Sequence, residues 1–338
     1  MKRLCLLICK FAFRLINQTM KRILLVLILF VTGITSFAQK SFIVSSYIRG
    51  NFYNAGRIDP AAMNACSDLI CLGVMPGADG SLIFEKFHSS EKQTVADLSE
   101  LISVVKKTLA GDISVRIGVS GGQYWKDMIV RPASRKKFVN QIKQLLIRTG
   151  TTGVDLDFEW AQNTQEYADY SSLIVELRNA IGTRYRLTVS LHPIFYRIYT
   201  DAIDAIDYAS LQCYGPSPVR FSYSQYIKDI DKILSYGIPS SKLVPGIPFY
   251  GVTADDSKES TAYYNFVQAD LITNPLINKV NYNGQSYIFN GQDEVKRKTE
   301  YAKYKQLCGI MFWDLATDVP INNQWSLFKA MLEVTDAK

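Results

Sequence analysis

Residues 152–160 read Thr-Gly-Val-Asp-Leu-Asp-Phe-Glu-Trp, and this stretch places three acids at alternate positions. Successive side chains of a β-strand point to opposite faces, so Asp155, Asp157 and Glu159 share one face and three apolar side chains share the other. In a parallel barrel the outer face packs on helices and must be apolar. The stretch therefore predicts a barrel strand whose three acids point into the barrel interior.

Seven further apolar runs and the amphipathic stretches between them continue this pattern from residue 40 onward. Eight strands alternating with helices in about 300 residues predict a single (β/α)8 TIM barrel over residues 39–338. A doubly wound open sheet is the alternative, but residues 47–51 lack its Gly-rich turn. The predicted strands are Phe42–Tyr47, Leu69–Val74, Ser114–Val119, Gly153–Glu159, Arg186–Leu191, Tyr208–Tyr214, Leu243–Phe249 and Gly309–Trp313. The clearest predicted helices are Thr94–Leu109, Ser134–Arg148, Gln165–Ile181, Tyr223–Leu234 and Asp293–Gln306.

Residues 252–290 interrupt the alternation and are rich in Tyr, Asn, Asp and Ser. The sequence Tyr-Asn-Gly-Gln at 282–285 predicts a tight hairpin. We interpret the segment as an elaborated loop at the carboxyl end of the barrel, where substrate sites of this fold lie. It is too short to form an independent domain.

The first 38 residues have the features of a signal peptide. Lys21 and Arg22 precede a short apolar run, and residues 36–38 supply the small side chains of a cleavage site after Ala38. Met20 is an alternative start, since residues 1–19 repeat the pattern more weakly. The run is too short for a convincing membrane span. We expect an exported protein, periplasmic or extracellular, with a retained amino-terminal anchor as the alternative.

Charge and cysteine content narrow the function classes. The chain carries a formal charge of +7, but the first 38 residues hold six Lys or Arg and no acid, which leaves +1 for the rest. A nearly neutral chain gives no electrostatic case for binding nucleic acid. The cysteines beyond residue 38 show no metal-like spacing, and we expect buried free thiols rather than disulfides. These are Cys66, Cys71, Cys213 and Cys308.

Three like charges stacked in a buried strand are costly, so we expect at least one of these carboxyl groups to have a raised pKa. Glu159 lies nearest the carboxyl end of its strand and is the candidate general acid. One alternative is a structural strand whose acids pair with cations. Arg116 and Arg186 are the only strand cations, and both lie towards strand starts. A divalent metal site is a second alternative, but no other strand end supplies a ring of Asp, Glu or His.

The acids following Gly153 form the pattern DxDxE, which resembles the catalytic signature of family-18 glycoside hydrolases, the chitinase-like barrels. Four other segments resemble motifs of this family in the same order. They are Ser120-Gly121-Gly122, Gln212-Cys213-Tyr214, Leu243–Gly251 and Gly309–Trp313. The resemblance covers nearly the whole chain after the signal segment.

The resemblance implies substrate-assisted retention, in which no second carboxylate attacks the sugar. Glu159 would protonate the glycosidic oxygen and then act as the base towards water. Asp157 would hold the 2-acetamido N–H and stabilise the oxazolinium intermediate. Asp155 would tune Asp157 by sharing a proton, so that the pair titrates as a unit. Tyr214 would hydrogen-bond the acetamide carbonyl.

The resemblance also implies substrate-binding residues. Trp313 would form the floor under the sugar ring, and Gln212 would point inward with Tyr214. Ser120 and Gly121 belong to the motif at the end of the third predicted strand, and we expect them at the substrate.

Several aromatic residues and one histidine lie near the predicted upper end of the barrel, and their positions alone suggest their roles. Tyr124 and Trp125 lie on a loop after the third predicted strand, where exposed aromatics stack on sugars. Tyr47 ends the first predicted strand and would line the innermost subsite. Trp160 continues the outward phase of its strand, which favours core packing at least as much, and we expect a structural role for His192.

The expected reaction is hydrolysis of β-1,4-linked N-acetylglucosamine, as in chitin or its oligomers, and no cofactor or metal is implied. The alternatives are an endo-β-N-acetylglucosaminidase acting on N-glycan cores and a non-catalytic sugar-binding barrel. Two positions depart from the family pattern. Thr152 precedes the signature glycine where the family usually has Asp or Asn, and Gly215 follows Tyr214 where the family often has a polar residue.

Overall fold

A computed structural model describes residues 42–335 except 92, 196 and 256. The predicted signal segment lies outside the described residues. Within the described ranges, no helix combines the length and hydropathy needed to cross a membrane.

Strands and helices alternate along most of the chain. The strands are β1 (Ile43–Arg49), β2 (Asp68–Pro76), β3 (Leu82–Phe84), β4 (Ser114–Ser120), β5 (Gly153–Asp157), β6 (Arg186–Leu191), β7 (Tyr208–Leu211), β8 (Leu243–Pro248), β9 (Tyr250–Thr253), β10 (Ser260–Ala262), β11 (Lys279–Tyr282), β12 (Gln285–Ile288) and β13 (Gly309–Trp313). The α-helices are α1 (Gly50–Asn54), α2 (Pro60–Ala65), α3 (Leu98–Thr108), α4 (Trp125–Ile129), α5 (Pro132–Thr149), α6 (Thr164–Ile181), α7 (Thr200–Ala205), α8 (Tyr223–Ser235), α9 (Tyr263–Gln268), α10 (Gln292–Tyr304) and α11 (Leu327–Thr335).

Eight parallel strands form a closed barrel. Their order is β1-β13-β8-β7-β6-β5-β4-β2, and β1 also pairs with β2 to close the ring. The short strand β3 lies outside this ring and pairs with β2 in antiparallel orientation. This architecture confirms the predicted (β/α)8 barrel and excludes the open sheet. Its upper end, where the strands have their carboxyl termini, is where barrel enzymes build their sites.

Helix α5 ends at Thr149, and β5 begins four positions later at Gly153. Gly150 adopts the left-handed conformation with φ of 60° and caps α5, as glycine does without a Cβ penalty. Val154 and Leu156 then face the helical layer and are fully buried, whereas Asp155 and Asp157 face the interior. The cysteines at 66, 71 and 213 are buried free thiols, as expected, and Cys308 is buried as well.

Two predicted strands end earlier than the hydrophobic pattern suggested. Strand β5 stops at Asp157 and β7 at Leu211, so Glu159, Gln212 and Tyr214 lie beyond regular strand pairing. Alternation of apolar residues continues into these segments because their side chains still pack at the barrel rim. The side chains therefore belong to the upper edge of the barrel and not to its middle.

The segment 252–290 contributes most of a small antiparallel sheet with strand order β10-β9-β12-β11. The predicted hairpin is confirmed, since β11 and β12 pair directly across Asn283 and Gly284. Both of these residues have positive φ, 49° and 80°, as a tight turn of this type requires. Strand β10 and the residues next to it reach the upper end of the barrel.

Candidate active site

The row of acids on β5 rises from the barrel interior to its upper opening. Asp155 and Asp157 are almost completely buried, and Glu159 is exposed above them. The neighbouring strands fix their height in the barrel. Asp155 lies beside Thr188 of β6, and Asp157 lies beside Ser120 of β4. The three acids are thus brought together as the alternating pattern predicted.

Asp155 is held by donors from three other strands. The Tyr47 hydroxyl donates to its Oδ2 at 3.0 Å, and the Thr188 hydroxyl donates to its Oδ1. Arg116 Nη1 lies 3.9 Å from Oδ1. The pKa of Asp155 is raised, because burial outweighs the Arg116 charge and the hydrogen bonds from Thr188 and Tyr47, which act in the opposite direction.

Asp157 and Glu159 share a single donor. Gln212 Nε2 lies 3.1 Å from Asp157 Oδ1 and 3.0 Å from Glu159 Oε1, so the amide joins the two carboxyl groups. Burial, then the charge of Glu159, then that of Asp155 raise the pKa of Asp157 well above its usual value. The expected raised pKa is therefore present. Asp155, expected to titrate with Asp157 as a unit, acts on the pKa of Asp157 less strongly than the charge of Glu159 does.

Glu159 combines solvent access with a shifted titration. Its side chain opens into a cleft of about 630 Å³ at the upper end of the barrel. Surrounding protein still desolvates the carboxyl group and raises its pKa, against the hydrogen bond from Gln212. A carboxyl group that keeps its proton and reaches solvent suits a general acid.

Tyr214 and Trp313 line the same cleft, and their contacts with substrate remain predictions. The Tyr214 ring meets Tyr250 edge-on with centroids 6.2 Å apart. Trp313 packs on Tyr47 at 5.1 Å and presents its remaining surface to the cleft. Beside it, Arg49 forms an ion pair of 2.5 Å with the fully buried Asp314. The Arg49 guanidinium also lies 5.3 Å from the centroid of the Trp313 ring.

Two predicted sugar contacts are wrong. Trp125 is only 2% exposed, because the short helix α4 turns it into the core, where it stacks on Phe158 at 5.4 Å. Tyr47 is 1% exposed. Strand β1 continues to Arg49, so Tyr47 lies below the rim and donates to Asp155 instead of lining a subsite.

Ser120, Gly121 and Tyr124 remain predictions as substrate contacts. None of them belongs to the described lining of the cleft. Ser120 is partly buried beside Asp157, and Gly121 follows it with a positive φ of 63°. Tyr124 precedes α4 and is partly exposed.

Two cleft residues are ones for which the sequence favoured structural roles. Trp160 and His192 both line the cleft, with ring centroids 4.9 Å apart. Core packing of Trp160 was inferred from strand phase, which does not apply because β5 ends at Asp157. Burial, with a smaller contribution from Arg220, lowers the pKa of His192 to about 4, so its imidazole is neutral at neutral pH.

Arg116 also differs from expectation. Its place near a strand start suggested that it had little to offer the acids of β5. In the structure it is fully buried inside the barrel and faces both Asp68 and Asp155. Among the residues the structure describes, no cluster of His, Cys, Asp and Glu has the arrangement of a metal site.

A parallel barrel with buried carboxyl groups below an aromatic-floored cleft has the architecture of a sugar-hydrolysing barrel. Residues 42–318 match the sequence profile of the glycosyl hydrolases family 18, and the chain belongs to this family. Among curated proteins, it is 21% identical to a class V chitinase of Arabidopsis thaliana over 260 residues, which cover 61% of this chain and 69% of that protein.

Solved structures show the same fold. A family-18 chitinase, ChiB, from the chitin utilization locus of Flavobacterium johnsoniae superposes with a TM-score of 0.70 at 24% identity, covering 88% of this chain and 94% of that one. A class V chitinase variant from Nicotiana tobaccum in complex with NAG4 superposes with a TM-score of 0.69 at 18% identity, covering 88% and 99%.

Proposed function

We propose that the protein is an exported, retaining glycoside hydrolase that cleaves β-1,4-linked N-acetylglucosamine, as in chitin and its oligomers, by substrate-assisted catalysis. One observation carries the proposal: a single amide, that of Gln212, joins the buried carboxyl group of Asp157 to the exposed one of Glu159 at the floor of the cleft. Glu159 is thus the acid that is open to solvent and substrate, and Asp157 is the buried acid directly below it.

Glu159 is the proton donor in this mechanism. Its raised pKa keeps the carboxyl group protonated until the glycosidic oxygen takes the proton as the bond to the anomeric carbon breaks. The resulting carboxylate then removes a proton from the incoming water, whose oxygen attacks the anomeric carbon. One residue thus serves as acid and base in turn.

Asp157 acts on the 2-acetamido group of the sugar. One oxygen accepts the acetamido N–H, which orients the acetamide oxygen towards the anomeric carbon for displacement of the leaving sugar. The cyclic oxazolinium intermediate carries a positive charge, and the acidic pair lies beside it. The substrate's own oxygen replaces the nucleophilic carboxylate of other retaining glycosidases.

Tyr214 and Trp313 hold the sugar in this pose. The Tyr214 hydroxyl donates to the acetamide oxygen, and its ring is kept in place by Tyr250. Trp313 offers its face to the C–H bonds of the sugar ring, while its underside is supported by Tyr47. The chitinases among the relatives and structural neighbours support an N-acetylglucosamine polymer as substrate.

Product analysis tests the proposal. Purified protein is incubated with N-acetylglucosamine oligomers, and the products are read by mass spectrometry beside a Glu159→Gln variant. Shorter oligomers from the wild type and none from the variant are expected. Intact oligomers in both samples would contradict the proposal. In a separate incubation with an N-glycosylated protein, release of N-glycans cut between their two core N-acetylglucosamines would redirect the proposal to the endoglycosidase.

Export is a separate part of the proposal, and it rests on residues 1–38. Amino-terminal sequencing of protein collected outside the cytoplasm is expected to begin at Gln39. Mature protein that keeps its apolar run and stays with the membrane would instead indicate an anchor.

A further inference from the structure

A buried charge network lies directly beneath the candidate catalytic acids. Arg116 is fully buried, and its Nε donates to Asp68 Oδ1 at 2.8 Å. Its Nη2 donates to the Tyr208 hydroxyl and its Nη1 to the Thr188 hydroxyl. The Thr188 hydroxyl in turn donates to Asp155, which also lies 3.9 Å from Arg116 Nη1. The Arg116 guanidinium therefore acts on Asp155 in two ways, directly across 3.9 Å and through the Thr188 hydroxyl.

Asp68 does not use the whole charge of Arg116. Arg186 Nη1 binds Asp68 Oδ2 at 2.8 Å, and the Tyr208 hydroxyl donates to the same oxygen at 2.7 Å. One carboxylate thus faces two cations. Two cations and one carboxylate leave one positive charge in excess, and Arg116 is the arginine whose Nη1 faces Asp155.

The two buried acids of β5 consequently differ in their partners. Asp155 has a cation and two hydroxyl donors. Asp157 is buried to a similar degree, but none of the described ion pairs includes it, and its donors are neutral. Charge balance therefore favours ionisation of the lower acid, Asp155, over ionisation of the upper one, Asp157.

We propose that Arg116 is a positioning residue whose charge keeps the Asp155 carboxylate ionised and so confines the exchangeable protons of the site to Asp157 and Glu159. The inference rests on the proposed glycosidase function. An anionic Asp155 accepts the Thr188 hydroxyl on one oxygen and the Tyr47 hydroxyl on the other, and both hydrogen bonds favour the ionised form. Asp157 can then keep its proton without losing the oxygen that accepts the acetamido N–H.

Groups from every neighbouring strand bear on Asp155, and the proposal takes each into account. The charge of Asp68 on β2 opposes ionisation, and Asp157 on its own strand would add to this only if it lost its proton. The groups that favour it are the single cation and the hydroxyl donors around it. They are Tyr47 of β1, Arg116 of β4 and Thr188 of β6, with Tyr208 of β7 placed to hold Arg116.

Carboxyl ¹³C NMR on purified protein with labelled aspartate measures the proposed property without requiring turnover. The Asp155 signal is identified by its loss in Asp155→Asn, and its titration is followed in wild type and Arg116→Met. We expect the midpoint to rise by about one pH unit or more when the cation is removed, because a nearby opposite charge lowers a carboxyl pKa by that order. An unchanged midpoint in a folded Arg116→Met protein would overturn the proposal.

Arg186→Met is the matched control. It removes a second arginine from the same Asp68 but not from Asp155, so the Asp155 midpoint should stay within about 0.3 pH units of the wild type. An equal rise in both variants would mean that any loss of charge near Asp68 has this effect, which contradicts a specific role of Arg116. If Arg116→Met does not fold, Arg116→Lys and Thr188→Val take its place. Thr188→Val should raise the midpoint and Arg116→Lys should raise it less, and no rise in Thr188→Val would overturn the proposal.

Kinetics separate this inference from the proposed function. In an active enzyme, the acidic limb of the kcat/KM profile against pH should move upward with the NMR midpoint in Arg116→Met and stay in place in Arg186→Met. Wild-type protein that cleaves no N-acetylglucosamine oligomer but shows the NMR shift would sustain the charge assignment and refute the function. An active enzyme in which neither the NMR midpoint nor the acidic limb moves would sustain the function and refute the charge assignment.

Discussion

The lower and upper parts of the barrel interior both bury charged side chains, but they balance them differently. In the lower part, Asp68 meets two arginines at 2.8 Å, and burial is outweighed so that its pKa lies below the usual value. In the upper part, Asp157 and Glu159 meet one neutral amide, and their pKa values are raised. Paired charge gives a fixed scaffold, whereas unpaired charge leaves protons to exchange.

The connection between the two parts is Asp155. It receives the Thr188 hydroxyl and the Arg116 charge from below, and it adds to the negative charge acting on Asp157 above. Strand β5 therefore carries, two residues apart, Asp155, which is paired with a cation, and Asp157, which has only neutral donors. Alternation of side chains in a strand gives both the same face, and only their neighbours distinguish them.

Glu159→Gln should have the largest effect on the upper part. Gln keeps the size of the side chain but cannot donate a catalytic proton, so kcat is expected to fall by about 10³-fold or more. Turnover of N-acetylglucosamine oligomers measures the loss, and calorimetric binding of the same oligomers shows that the cleft survives. Activity within about tenfold of the wild type would exclude Glu159 as the acid.

The lower part should respond in stability. Arg116→Met leaves Asp68 and Asp155 without a fully buried cation and is expected to cost about 3–5 kcal/mol in the free energy of unfolding. Arg186→Met removes a partly exposed partner of the same Asp68 and should cost less than about 1 kcal/mol, since solvent screens it. Urea unfolding of both proteins makes the comparison, and equal losses would contradict the difference in burial as its cause.

Gln212→Leu tests the shared donor of the upper part. Loss of a hydrogen bond to charged groups is worth about 1.5–3 kcal/mol, so kcat/KM should fall by about 10–100-fold. The amide also lowers the pKa of Glu159, so its removal should move the basic limb of the pH profile upward. Ser190→Ala, which removes only a hydroxyl 3.1 Å from the same amide nitrogen, should change both quantities less. A fall in rate with an unmoved basic limb would show that Gln212 acts on binding alone.

The smallest expected change is one of stability, where Asp157→Asn should give a gain. A carboxyl group whose pKa is raised on folding binds more protons in the native state, so stability falls as pH rises above about 4, its unfolded value. Asn carries no such cost. The variant should melt about 2 °C or more above the wild type at pH 7 and show no advantage at pH 4, as measured by calorimetry. The opposite pH dependence would contradict the raised pKa.

The sequence predicted the barrel and its row of acids because both depend on local patterns. Alternation fixed the face of Asp155, and the same pattern placed Val154 outside. It failed where a side chain's environment depends on where a strand stops. Tyr47 looked terminal, but β1 runs on to Arg49, and Trp160 kept a strand phase that had already ended at Asp157.

Contacts between distant strands were also beyond the sequence. Arg116 and Asp68 are 48 positions apart, and Asp155 meets Tyr47 across 108. No periodicity encodes such pairs, because they arise only when the barrel closes. Trp125 was misjudged for a related reason, since the apolar pocket that receives it is built by Phe158 and by a residue of α6.

Product stereochemistry tests the central claim, that an acid pair and the substrate's acetamide carry out the reaction together. Proton NMR is recorded during hydrolysis of N-acetylglucosamine oligomers and of the same oligomers after deacetylation. The account predicts that the first product from acetylated oligomers appears as the β-anomer and that deacetylated oligomers remain intact. An α-anomer as first product, or equal cleavage of deacetylated oligomers, would contradict it.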